Sequence, residues 1–125
     1  MAHILVIDDD AALRTVLIHA LRAAGHTVSC APDGRSALTL VRTEAADLVI
    51  TDLVMPEQDG IETIMALRHL FPALPVVAMS GALPNAPLYL EIAENLGVRR
   101  TLAKPFDTAM LLDAVDGALE RIHAA

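Results

Sequence analysis

The sequence predicts one α/β domain with a doubly wound parallel sheet, and three observations carry that prediction. Short apolar runs stop abruptly at charge: Ile4-Leu5-Val6-Ile7 at Asp8-Asp9-Asp10, Leu48-Val49-Ile50-Thr51 at Asp52, and Thr101-Leu102-Ala103 at Lys104-Pro105. Runs this short, without polar interruption, suit strands buried on both faces of a parallel sheet. Between them lie segments with helical periodicity, so strands and helices alternate along all 125 residues. That order implies helices on both faces of the sheet and right-handed crossovers.

The elements follow in sequence. After the first strand, Asp10 can cap a helix over Ala11–Ala24, whose Leu13, Val16, Leu17, Ala20, Leu21 and Ala24 share one face, with Gly25 ending it. Thr27–Ala31 reads as a strand. Asp33-Gly34 then turns into a helix ending near Thr43, and Asp47–Thr51 is the third strand. Met55–Gly60 is a loop in which Asp59 and Glu62 have capping-box spacing for a helix through about His69. Pro75–Ser80 is the fourth strand, Gly81–Pro87 a loop with two prolines, and Leu88–Leu96 a short helix closed by Gly97. Thr101–Lys104 is the fifth strand, and Asp107 can cap a last helix to about Ile122. Residues 1–125 therefore read as a single domain with no linker or repeat.

Composition narrows the function. With 54% hydrophobic but only 2% aromatic residues and no Trp, the core must be aliphatic. A net charge of −7 argues against direct binding of nucleic acid, which needs clustered Lys and Arg. The N-terminal apolar run is too short for a signal peptide or a membrane span, which points to the cytoplasm. The lone cysteine, Cys30, excludes an internal disulfide and reads as a small buried hydrophobe. The five histidines lack metal-ligand spacing, and Arg99-Arg100 reads as a solvated strand entrance.

If the strands are parallel neighbours, their charged ends share the edge where open α/β sheets bind ligands. Two carboxylates about 4 Å apart at an effective dielectric near 20 repel by on the order of 4 kcal/mol. Asp8, Asp9 and Asp52 therefore call for a counterion. Oxygen donors without His or Cys suit magnesium, or manganese, better than zinc. One carboxylate could be a nucleophile towards phosphorus, with Lys104 as a point charge for a phosphoryl oxygen and Ser80 as a hydroxyl donor. Phosphoryl transfer requires chiefly positioning and charge neutralisation, which these residue types supply.

Asp8-Asp9 after the first strand, Asp52 followed by Met55-Pro56 and Asp59-Gly60, Ser80 after the fourth strand, and Lys104-Pro105-Phe106 together form a specific pattern. It resembles the receiver domain of two-component response regulators, in particular the stand-alone chemotaxis-regulator type, over essentially the whole chain. The resemblance implies a flavodoxin-like sheet of order 2-1-3-4-5, with Asp52 as phosphoacceptor and Asp9 as principal metal ligand. Asp8 would act on the metal partly through water, and the Val54 carbonyl would complete the protein ligands. Ser80 would hold a phosphoryl oxygen, Lys104 would pair with the phosphate, and Lys104-Pro105 would be cis.

The implied activity is uptake of a phosphoryl group from a sensor histidine kinase or a histidine phosphotransfer protein, with magnesium, followed by self-dephosphorylation. No separate substrate would be turned over, so the chain is not expected to be an enzyme in that sense. The expected downstream partner is a protein, and a homodimer is left open. Three departures stand out. Thr101 replaces the aromatic residue that receivers commonly carry, the segment with Pro84 and Pro87 is slightly long, and the chain stops after the fifth helix without an output domain. Val54 and Ala82 cannot hydrogen-bond through their side chains, which implies slow self-dephosphorylation. The alternatives are a phosphorylation-independent binding module of the same fold, favoured by Thr101, and an aspartyl phosphatase, disfavoured because Val54 stands where those enzymes place a second Asp.

Overall fold

A computed structural model describes residues 1–53, 60–81 and 86–123. The elements are β1 (His3–Ile7), α1 (Ala11–Ala23), β2 (Thr27–Ala31), α2 (Gly34–Glu44), β3 (Leu48–Asp52), α3 (Gly60–Leu70), β4 (Val76–Ser80), α4 (Ala86–Asn95), β5 (Arg100–Ala103) and α5 (Thr108–His123). All strand pairs are parallel, in the order β2-β1-β3-β4-β5.

The apolar runs become the middle of the sandwich because successive strand residues face opposite sides. On one face Ile4, Val6, Ile50 and Met79 pack against Leu17 and Leu21 of α1 and Leu111 and Val115 of α5. On the other, Leu5, Ile7, Val49 and Ala78 meet Ala37 and Val41 of α2 and Ile64 and Leu67 of α3. Every residue of β3 and β4 is buried, as strands covered on both faces must be.

The helix caps read from the sequence are present where they are described. The Asp10 side chain accepts hydrogen bonds from the N–H groups of Ala12 and Leu13, Asp33 from Ser36, and Asp107 from Met110. Gly25 and Gly97 have φ of 96° and 93°, left-handed conformations that glycine adopts without a Cβ clash. Several element boundaries differ from the sequence reading by one or two residues. β3 runs one residue further, so Asp52 is its last strand residue, and β5 begins at Arg100. The helix expected from Leu88 begins at Ala86, which puts Pro87 in its first turn. Proline is tolerated there because the first backbone N–H groups of a helix have no intrahelical acceptor.

One side-chain expectation is corrected and another is extended. Cys30 is exposed, because β2 is an edge strand at the margin of the helical cover. Arg99 and Arg100 stand at the entrance to β5, where Arg100 is exposed as expected and Arg99 half-buried, and both also reach α5. Arg99 Nη1 donates to the Ala118 carbonyl at 3.1 Å, and the Arg100 guanidinium lies so close over Gly117 that a Cβ there would stand 2.3 Å from Nη2. Thr101 between them and the core is half-buried and pairs with Ala78. No described helix is long and apolar enough to cross a membrane.

Candidate functional site

Strand register brings the charged ends together. Ile7 pairs with Thr51, so Asp8 and Asp52 leave adjacent strands side by side. Asp52 pairs with Met79, and Ser80 with Ala103, one residue before Lys104. Ligand atoms of Asp8, Asp9 and Asp52 all lie within 4.8 Å of one another. Asp8 is fully buried and Asp52 is 6% exposed, whereas Asp9 faces solvent.

Local bonds hold each group. The Asp8 N–H continues the β1–β2 ladder to the Ala31 carbonyl, and its Oδ1 accepts from the Asp10 N–H at 2.9 Å. Its carbonyl oxygen accepts from Arg14 Nη1. The end of β3 is fixed by Leu53 N–H to the Met79 carbonyl and by Gly60 N–H to the Leu53 carbonyl at 3.0 Å. The N-terminus of α3 is pressed directly onto this strand, since a Cβ on Gly60 would stand 2.1 Å from the Asp52 carbonyl oxygen. Lys104 N–H donates to the Ser80 carbonyl at 2.7 Å, and the Lys104-Pro105 peptide is cis, as the resemblance implied.

Lys104 Nζ lies 3.2 Å from Asp52 Oδ2 and 3.4 Å from Asp8 Oδ2. Burial draws the lysine pKa down, but the Asp52 and Asp8 charges and hydrogen bonds outweigh it, and the net direction is up from 10.5. Burial raises the Asp8 carboxyl above its ordinary 3.8, against the lowering effect of the Asp10 N–H and of Lys104, while the Asp52 charge raises it further. The Lys104 ammonium thus pairs with two of the three clustered carboxylates. The donor set is all oxygen, partly exposed through Asp9, and fits a hard divalent cation that keeps waters and phosphate oxygens as its remaining ligands.

Of the residues singled out from the sequence, the structure brings Asp8, Asp9, Asp52 and Lys104 into one group and puts Ser80 at the adjoining strand end. Val54 lies outside the described residues, as do Ala82, Pro84 and Asp59, the cap expected for α3. Arg14 and Gly60 were not singled out as site residues. The available signal was slight: Arg14 is the one basic residue in the first half of α1, and Gly60 completes the Asp59-Gly60 pair of the sequence pattern. A surface hollow of about 420 Å³, bordered by Val41, Phe71 and Leu74, lies at the opposite end of the strands and gathers no comparable set of titratable groups.

A buried carboxylate whose pKa is raised by folding binds protons more tightly in the folded state. The metal-free protein should therefore lose stability as pH rises from the ordinary carboxylate range through the Asp8 titration. Lys104 acts in the other range, contributing stability below its unfolded pKa and losing it at strongly alkaline pH. Asp8→Asn is expected to raise the melting temperature of the metal-free protein at pH 7 and to flatten this acid-side dependence. Thermal scans from pH 4 to pH 7 with chelator would check it, and an unchanged or lowered melting temperature would argue that the Lys104 pairing outweighs the burial cost.

Fold and site together define a doubly wound α/β domain with an acidic pocket at its strand ends. The chain belongs to the response regulator receiver domain family, whose model matches residues 4–116. It is 36% identical over 122 residues to the transcriptional regulatory protein GlrR of Escherichia coli K12, covering 96% of this chain and 27% of that protein. It thus spans about a quarter of the length of the curated relatives it matches. Among solved structures it is similar to the chemotaxis protein CheY4 of Vibrio cholerae, with a TM-score of 0.86, 30% identity, and coverage of 95% of this chain and 99% of that one. A receiver domain protein of Methanospirillum hungatei superposes with a TM-score of 0.91 at 22% identity, a likeness of fold, over 99% of this chain and 98% of that one. Receiver domains are phosphoacceptors in two-component signalling, accept their phosphoryl group from histidine kinases and bind magnesium through an acidic pocket.

Proposed function

We propose that residues 1–125 act as one receiver domain that accepts a phosphoryl group on Asp52. The observation that carries this reading is the convergence of Asp8, Asp9 and Asp52 within 4.8 Å, with Lys104 Nζ 3.2 Å from Asp52. Asp8 and Asp9, with the Val54 carbonyl and Asp52 itself, would hold magnesium, or manganese. The bound cation would supply charge neutralisation for the phosphoryl oxygens. An Asp52 carboxylate oxygen attacks phosphorus in line. The P–N bond of the donor's phosphohistidine breaks, its electron pair stays on the imidazole, and an acyl phosphate forms. Lys104, already facing Asp52, pairs with a phosphoryl oxygen, and the Ser80 hydroxyl donates to another.

The donor is a sensor histidine kinase or a histidine phosphotransfer protein, and the output is binding to a downstream protein in the cytoplasm. The domain turns over no separate substrate and catalyses only its own phosphorylation and dephosphorylation. Incubation with acetyl phosphate and magnesium, followed by intact mass measurement, tests the reading. One added phosphoryl mass that disappears with chelator and is released by hydroxylamine is expected. Absence of any uptake, in a protein that folds, would overturn it in favour of the second reading. That reading is a binding module of the same fold that works without phosphorylation, supported by the small Thr101 side chain at the strand position where receivers commonly carry an aromatic residue.

A further inference from the structure

We propose that Arg14 is a positioning residue for the acidic group, fixing through the Asp8–Asp9 peptide where the Asp9 carboxylate stands for a divalent cation. The inference rests on the reading of Asp8, Asp9 and Asp52 as a cation site and assigns a role to a residue of α1 outside that set.

β1 ends at Ile7, and the Asp8 N–H to the Ala31 carbonyl is the ladder's last bond on that side. The Asp8 carbonyl has therefore left the sheet, and its acceptor is met by Arg14 Nη1. A peptide unit is planar, so pinning the carbonyl oxygen also fixes the Asp9 N–H and the Asp9 Cα. Asp9 needs such a constraint, since among the described residues its own carboxylate meets no donor. The two other carboxylates have Lys104 to orient them. Among the described residues, Asp9 is held by its backbone alone.

The clamp is closed from the far side as well. The Arg14 N–H donates to the Asp10 carbonyl at 3.0 Å, and the Asp10 side chain caps α1 while its N–H holds Asp8 Oδ1. Arg14 thus spans the β1–α1 turn at both ends, with its backbone on Asp10 and its side chain on Asp8. A long, planar, permanently charged donor suits that span, because the guanidinium bonds to the carbonyl without any protonation change. Groups that orient metal ligands from behind commonly matter by roughly 10–100-fold in metal affinity.

The test is a magnesium titration of ¹⁵N-labelled protein followed by amide chemical shifts, comparing the parent with Arg14→Met, Arg14→Lys and Asp9→Ala. Arg14→Met keeps an apolar stem without a donor, and its magnesium dissociation constant is expected to rise by roughly tenfold. Arg14→Lys restores a donor and should recover much of that loss. The readout is affinity in the folded protein, which a role in stability alone would not move. Parent affinity in Arg14→Met would overturn the proposal. So would tighter binding, because it would show the guanidinium acting as a competing cation. If Arg14→Met does not fold by circular dichroism, Arg14→Leu, which also lacks a side-chain donor, takes its place in the same titration with the same two deciding outcomes. Failure of the parent to bind magnesium, or unchanged binding in Asp9→Ala, would overturn the cation-site reading and this inference with it. A normal parent and a defective Asp9→Ala beside an unaffected Arg14 variant would overturn the Arg14 role alone.

Discussion

Asp52→Asn is expected to take up no phosphoryl group from acetyl phosphate in magnesium, under conditions in which the parent gains one phosphoryl mass. The amide preserves the shape of the side chain and removes its charge and its nucleophilic oxygen. Lys104 keeps a carboxylate partner in Asp8, 3.4 Å away, and the aliphatic core on either side of the sheet is untouched. The loss should therefore be one of chemistry and not of folding. In metal-free buffer the variant should melt no lower than the parent, because one of three mutually repelling carboxylates is gone. Intact mass spectrometry and a thermal scan on the same samples separate these outcomes. Labelling of the variant at the parent's level would move the acceptor to another residue. A variant that fails to fold would show that Asp52 contributes a structural ion pair of unexpected weight.

Asp8 and Asp52 were legible because a strand covered on both faces is written as an unbroken apolar run. A charge that ends such a run must leave the core at the sheet's edge. Lys104 follows the edge strand β5, in which Leu102 alone is buried, and was legible as the sequence's single lysine, placed before Pro105-Phe106. Asp10 was legible for another reason, since capping is local and its partners Ala12 and Leu13 lie two and three residues away. What escaped the sequence depends on approach between distant segments. Nothing local to Arg100 announces Gly117, and nothing local to Gly60 announces the Asp52 carbonyl, although in each case another group stands where the glycine's Cβ would be. Cys30 was misplaced because residue type favours burial while position on the edge strand β2 favours exposure. Pro87 carried two meanings, loop breaker or first-turn residue, that only the course of α4 separates. The end of α2 was similarly silent, for it closes on Ala45 at φ 51° and not on a glycine.

Gly60→Ala and Gly117→Ala are expected to change stability in opposite directions, although both glycines are buried in helices. At Gly60 the added methyl group would stand 2.1 Å from the Asp52 carbonyl oxygen and 2.5 Å from Leu53 Cα. These are backbone atoms at the end of a fully buried central strand, so neither can yield without displacing α3 or β3. Overpacking of this kind costs about 3 kcal/mol. The displacement would also carry Asp52 away from Lys104, so phosphoryl uptake by the folded fraction should fall with stability. At Gly117 the obstructing atoms are Nη2, Cζ and Nε of Arg100, the far end of a flexible side chain on the surface. Arg100 can swing aside while Arg99 keeps its bond to the Ala118 carbonyl. Replacing glycine by alanine inside a helix then contributes up to about 1 kcal/mol of stabilisation, less the packing that Arg100 gives up. Urea unfolding of both variants decides the matter. A Gly60→Ala stability within about 0.5 kcal/mol of the parent, the range of an ordinary surface change, would mean that α3 is free to lift from β3 and does not fix the position of Asp52.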